Sequence, residues 1–103
     1  MLETVTSIGG VPIRLTDERW SHITEEHSEL AGMRFEILET VEQPELVYGG
    51  RSGELFAVRE IEPGKLLIVV YRELIEDGFI ITAFFTRRAR SLEGRKLIWS
   101  VTK

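Results

Sequence analysis

The stretch KLLIVVYRELIEDGFIITAFFTRR, residues 65–88, decides the fold. Leu66 to Tyr71 and Phe79 to Ile81 are unbroken apolar runs rich in β-branched and aromatic side chains. Runs this short read as strands, and their failure to alternate predicts burial on both faces of a sheet. Asp77-Gly78 offers a tight turn between them. The spacing therefore predicts two central, adjacent, antiparallel strands, Lys65–Arg72 and Phe79–Arg87.

Working outward, Glu54 to Ile61 reads as a strand that turns at Pro63-Gly64. Glu45 to Tyr48 reads as a shorter one ended by Gly49-Gly50, and Lys96 to Thr102 as the last. Upstream, Thr16 has the chemistry of a helix N-cap, with Asp17 and Glu18 in the first turn. That helix is predicted to run to Leu30 and to end at Ala31-Gly32. A second helix is predicted over Met33–Glu42, with Met33, Ile37, Leu38 and Val41 inward and Pro44 as its stop. At the start, Thr4–Ile8 and Val11–Leu15 flank Gly9-Gly10, a hairpin signal. Pro12 cannot donate to a ladder, so it belongs at an edge or near a strand start. The whole of 1–103 reads as one α+β domain: an N-terminal β-hairpin, two helices, then a mostly antiparallel sheet.

The chain has 103 residues, 43% of them hydrophobic and 29% charged, which is ordinary for a small globular domain. It has no cysteine, so disulfides and thiolate chemistry are excluded. No run is long enough to span a bilayer as a helix and the first residues do not resemble a signal peptide, so the expected setting is cytoplasmic, without a membrane. The net charge is −4 but unevenly spread. Carboxylates crowd residues 17–45, whereas Arg87, Arg88, Arg90, Arg95 and Lys96 crowd the end. These cations are either solvated, paired with the acidic helices, or placed to take phosphates.

His22 and His27 are five residues apart on the first predicted helix, about 140° apart, a poor spacing for one shared metal ion. No metal or other cofactor is expected. On the wheel Trp20, Ile23, His27 and Leu30 form the inward stripe, while His22 lies among carboxylates. His27 is thus either a core-edge histidine or a general acid/base. Thr82 interrupts an apolar strand, and a buried hydroxyl needs a partner. Arg59, Tyr71 and Arg72 belong to neighbouring strands, and Arg87 and Arg88 end the strand of Thr82. A histidine, a hydroxyl and arginines are the parts that metal-free RNA cleavage needs. Which of Tyr71 and Arg72 shares a face with Thr82 depends on the hairpin register.

Glu18-Arg19-Trp20-Ser21-His22-Ile23, His27-Ser28-Glu29-Leu30, Gln43-Pro44-Glu45, Leu67 to Tyr71 and Phe79-Ile80-Ile81-Thr82-Ala83-Phe84 together resemble the PBECR group over about residues 14–88. That group comprises phage-associated domains similar to barnase, EndoU, colicin-type and RelE-type nucleases. His27-Ser28-Glu29 stands where the group often has His-Pro-Glu. The resemblance implies a BECR (RelE-like) fold and a metal-independent endoribonuclease, a toxin of a toxin–antitoxin or phage-related system. By the same resemblance His27 matches the group's helix histidine and Thr82 the threonine of its penultimate-strand signature. Arg59, Tyr71 and Arg87 are looser matches to its catalytic set, with Arg72, Arg88 and Arg90 expected to touch RNA. The partners implied are RNA and an antitoxin-like protein. The second reading is a non-catalytic binding or regulatory domain on the same fold, and a third is a structural subunit of a small oligomer, its partner a second copy of the chain.

Overall fold

A computed structural model describes residues 3–101. The elements follow in the order β1 (Glu3–Thr6), β2 (Pro12–Leu15), α1 (Asp17–Glu26), α2 (Arg34–Glu42), β3 (Leu46–Gly49), β4 (Leu55–Glu62), β5 (Lys65–Glu73), β6 (Gly78–Thr86) and β7 (Lys96–Ser100). The fold is α+β, with one seven-stranded sheet in the order β1-β2-β6-β5-β4-β3-β7. Every pair is antiparallel except β2 with β6. The N-terminal hairpin forms as expected, and Pro12 opens its second strand, where no ladder donor is required. The final expected strand ends at Ser100, and Thr102 lies outside the described residues.

The two apolar runs pair directly, Leu66 with Thr86 through to Glu73 with Gly78, in the middle of the sheet. β5 is covered on both faces. Leu67, Val69 and Tyr71 join the core under the helices with Ile13, Ile23 and Ile37. Ile68 and Val70 join a second cluster on the other face with Phe56, Val58 and Leu92. β6 is only partly covered there, since Ile81 and Phe84 stay half-exposed. The cover on that face is the segment 87–95, which crosses from β6 to β7 as a strap pinned by Leu92.

α1 begins as read: the Arg19 N–H donates to the Thr16 hydroxyl at 3.1 Å, a cap worth about 0.5–2 kcal/mol. It ends four residues earlier than predicted. His27 leaves the helical region at φ −133°, and Ser28–Leu30 form a separate 3₁₀ turn. The physical reason lies in the last turn, which holds Glu25 and Glu26 and no cation. Negative charge opposes the negative end of the helix dipole, so continuing the helix towards Glu29 is unfavourable. Leu30 still reaches the core, by way of the turn. α2 starts at Arg34, one residue later than predicted, with Ile37, Leu38, Thr40 and Val41 buried. The buried Thr40 hydroxyl is satisfied by donating to the Glu36 carbonyl at 2.7 Å.

Candidate functional site

β6 sets the geometry. On one side it pairs with β5 along its length. On the other, β2 reaches it only at Gly78 and Phe79. Beyond Phe79 no strand among the described residues borders that side, and the end of α1 packs beside it. His27 sits at this rim. Its imidazole centroid is 6.2 Å from that of Phe84, the planes tilted by 38°. One-third of the side chain is exposed, and Nδ1 stands 4.0 Å from the Glu29 carboxylate. His27 is therefore not on the inward stripe with Trp20 and Ile23, as the longer helix would have required, and it is not a core histidine. His22 is half-exposed and faces Glu26 at 3.4 Å, away from the rim, as the wheel arithmetic expects.

The register places Thr82. A bulge falls at Ile81, because Val70 pairs with Thr82 while Tyr71 pairs with Ile80. From Thr82 onward pairing is regular, so Thr82 and Phe84 share a face with Val70 and Ile68. That is the strap face, not the helix face. Tyr71 points the opposite way, fully enclosed in the helix-side core. Its neighbour Arg72 is the one that shares the face of Thr82. The resemblance leads one to expect His27, Thr82 and at least one of Arg59, Tyr71 and Arg87 to line one cleft between α1 and the sheet, but Thr82 lies on the opposite face of the sheet and Tyr71 is enclosed in the core. Arg59 is also elsewhere: on β4, opposite Leu67 and on the helix side, with Nη1 donating to the Gln43 carbonyl at 2.7 Å.

What the structure does bring together at this rim is His27 and Phe84; Thr82 lies two residues before Phe84 on the same face of β6, and Arg87 and Arg88 follow directly from the end of the strand. Arg87, Arg88 and Arg90 are exposed, and no carboxylate among the described residues pairs with them. The basic end therefore does not spend its charge on the acidic helices. Helix α1 carries Asp17, Glu18, Glu25 and Glu26 as exposed carboxylates on the helix side of the sheet. Among the described residues no three His, Asp or Glu side chains converge as metal ligands, and no helix is long and apolar enough to cross a membrane.

The sequence groups Arg95 with the other cations of the basic end and gives no hint of its contact with Phe56, over whose ring the guanidinium lies at 4.0 Å on the strap face. The signal was present as Gly94-Arg95-Lys96 before a strand, but nothing in the sequence pairs that turn with Phe56. In comparisons with known proteins the chain matches no family model, no curated protein and no solved structure.

Proposed function

We propose that this chain is a small metal-independent endoribonuclease, with His27 as its general acid/base and the free arginines of the strap as phosphate contacts. The observation that carries the reading is the setting of His27. Its partly exposed imidazole is flanked by a carboxylate on Nδ1 and lies at the rim of a strand that runs into Arg87 and Arg88. At 4.0 Å the Glu29 carboxylate is beyond hydrogen-bond distance of Nδ1 and acts on the imidazole as a nearby negative charge. In the reaction Nε2 accepts the 2′-OH proton and the 2′-oxygen bonds to phosphorus. The bond to the 5′-oxygen then breaks, that oxygen takes a proton from water, and the imidazolium of His27 returns its proton to solvent. The products are a 2′,3′-cyclic phosphate and a 5′-hydroxyl. Arginine stabilises the charge that develops on the phosphoryl oxygens, and Thr82, on the face of β6 that it shares with Phe84, is the hydroxyl assigned to bond the substrate. A toxin role, with an acidic antitoxin-like protein covering the strap, belongs to this proposal.

The second reading, a non-catalytic binding domain, is favoured by one observation. Tyr71 is enclosed and Arg59 is engaged, so neither a second acid nor that arginine stands ready beside His27. One assay separates the two. Purified protein with EDTA present should cut single-stranded RNA and leave a cyclic phosphate. His27→Ala should slow this by roughly 10²–10⁴ with an unchanged thermal melt. RNA bound but never cut would establish the binding reading instead, and RNA cut equally well by His27→Ala would remove His27 from the reaction.

A further inference from the structure

At the end of the sheet away from the His27 rim, the end of β3 and the start of β7 enclose a hollow of about 470 Å³. Its walls are Gly49, Gly50 and Arg51 on one side and Gly94, Arg95 and Lys96 on the other. Gly94, at φ 82°, holds a turn conformation that a side chain would strain, and nothing stands within 4 Å of where its Cβ would be, whereas the Ile98 and Glu54 side chains fill that space beside Gly49 and Gly50. Arg95 is held in place by the Phe56 ring beneath it. Arg72 reaches the same end, its Nη1 3.1 Å from where a Cβ on Gly53 would stand. Two carboxylates, Glu54 and Glu93, also line the hollow. Glu54 is committed to its own turn, accepting from the Ser52 N–H at 2.8 Å. Its carboxyl is held below the usual range, first by its own backbone N–H, then by that of Ser52, with Arg72 and Arg95 adding to the effect. The cations outnumber the carboxylates, and the strap joins this hollow to the His27 rim through Arg87, Arg88 and Arg90.

We infer that the hollow takes a phosphate group of the same single-stranded RNA that His27 works on, so that the strap is a track between two anchoring points. This rests on the ribonuclease reading. A single strand is specified because the track is one chain wide and the opposite face of the sheet is covered by acidic helices. Its length follows from the sheet. From β6 to β7 is four strand spacings, about 19 Å. The hollow also lies towards the other end of the strands, which makes the path about 25 Å. That distance corresponds to roughly seven stacked nucleotides at ~3.4 Å each. A dinucleotide reaches one anchor, and an octanucleotide reaches both.

The test is anisotropy with labelled uridine dinucleotide and octanucleotide on the His27→Ala protein, which holds RNA without cutting it. The octamer should bind at least about tenfold more tightly, the size of one good charged interaction. Adding Arg51→Glu and Lys96→Glu, both at exposed positions, should remove most of that gain and leave dinucleotide binding unchanged. The salt dependence of octamer binding should also become shallower, by about 0.7 for each phosphate that the double variant no longer neutralises. In a separate titration, pyrophosphate should move the amide resonances of Gly50 and Gly94, and fail to do so in the double variant. Equal affinity for the two lengths, or an octamer indifferent to the double variant, overturns the track while leaving cleavage at His27 standing. No RNA binding or cutting by the unmodified chain sinks both readings. If pyrophosphate still binds in that case, the hollow is a site for a small phosphate ligand instead.

Discussion

Tyr71 carries a hydroxyl into the helix-side core, where it is fully enclosed and has no hydrogen-bond partner among the described residues. Burial, and then the charge of Glu73, push its phenol above the usual range. A raised pKa means that the folded protein keeps its proton where the unfolded chain has begun to lose it. Stability from this group is therefore complete below about pH 10, the unfolded value, and declines as the pH rises further. Tyr71→Phe removes both the unpaired oxygen and this titration. Urea melts at pH 7 should show no loss for the variant, or a gain of about 1 kcal/mol, since an unmet buried polar group costs ~1–3 kcal/mol. At about pH 10.5, just above the unfolded value, the variant should lose less stability than the parent. A loss above about 1 kcal/mol at pH 7 would mean that the hydroxyl is bonded after all. RNA cleavage should be unaffected, in contrast to His27→Ala. By residue type alone Tyr71 and His27 are equal candidates for acid/base work, and only burial tells them apart.

Strand β6 shows why the elements were legible and the site was not. Its pairing with β5 follows from composition and a short turn, both local signals. Ile68 is completely buried, so Ile68→Ala should cost about 2–5 kcal/mol. Ile81 occupies the bulge and stays half-exposed, so Ile81→Ala should cost clearly less in the same denaturant series. Equal losses would mean that the strap covers both residues. The bulge is what the sequence hides: Ile80-Ile81-Thr82 reads as ordinary strand, yet one extra residue moves Thr82 to the face of Val70. The end of α1 is similar. The apolar stripe continues to Leu30, but the acidic last turn stops the helix at Glu26 and frees His27 from the core. Arg59 and Gln43 meet only because β4 passes the end of α2, a contact between residues 16 apart that no local pattern announces.

At the scale of the whole molecule, the net charge of −4 conceals two layers of opposite sign. The helical layer, including Glu3, bonds some of its cations internally: Arg34 pairs with Glu3 and Asp17. In the strap Arg87, Arg88 and Arg90 have no carboxylate partner among the described residues. Such a separation sets up a field that can turn the molecule towards a polyanion as it approaches. It also has a consequence at the bench. A protein with a sequence pI near 5.2 is expected to pass through a cation exchanger at neutral pH. This one should be retarded on a sulfonate resin at low ionic strength, strap inward, and should also bind a quaternary-amine resin through its helices. Arg87→Glu with Arg88→Glu should abolish the first retention and strengthen the second.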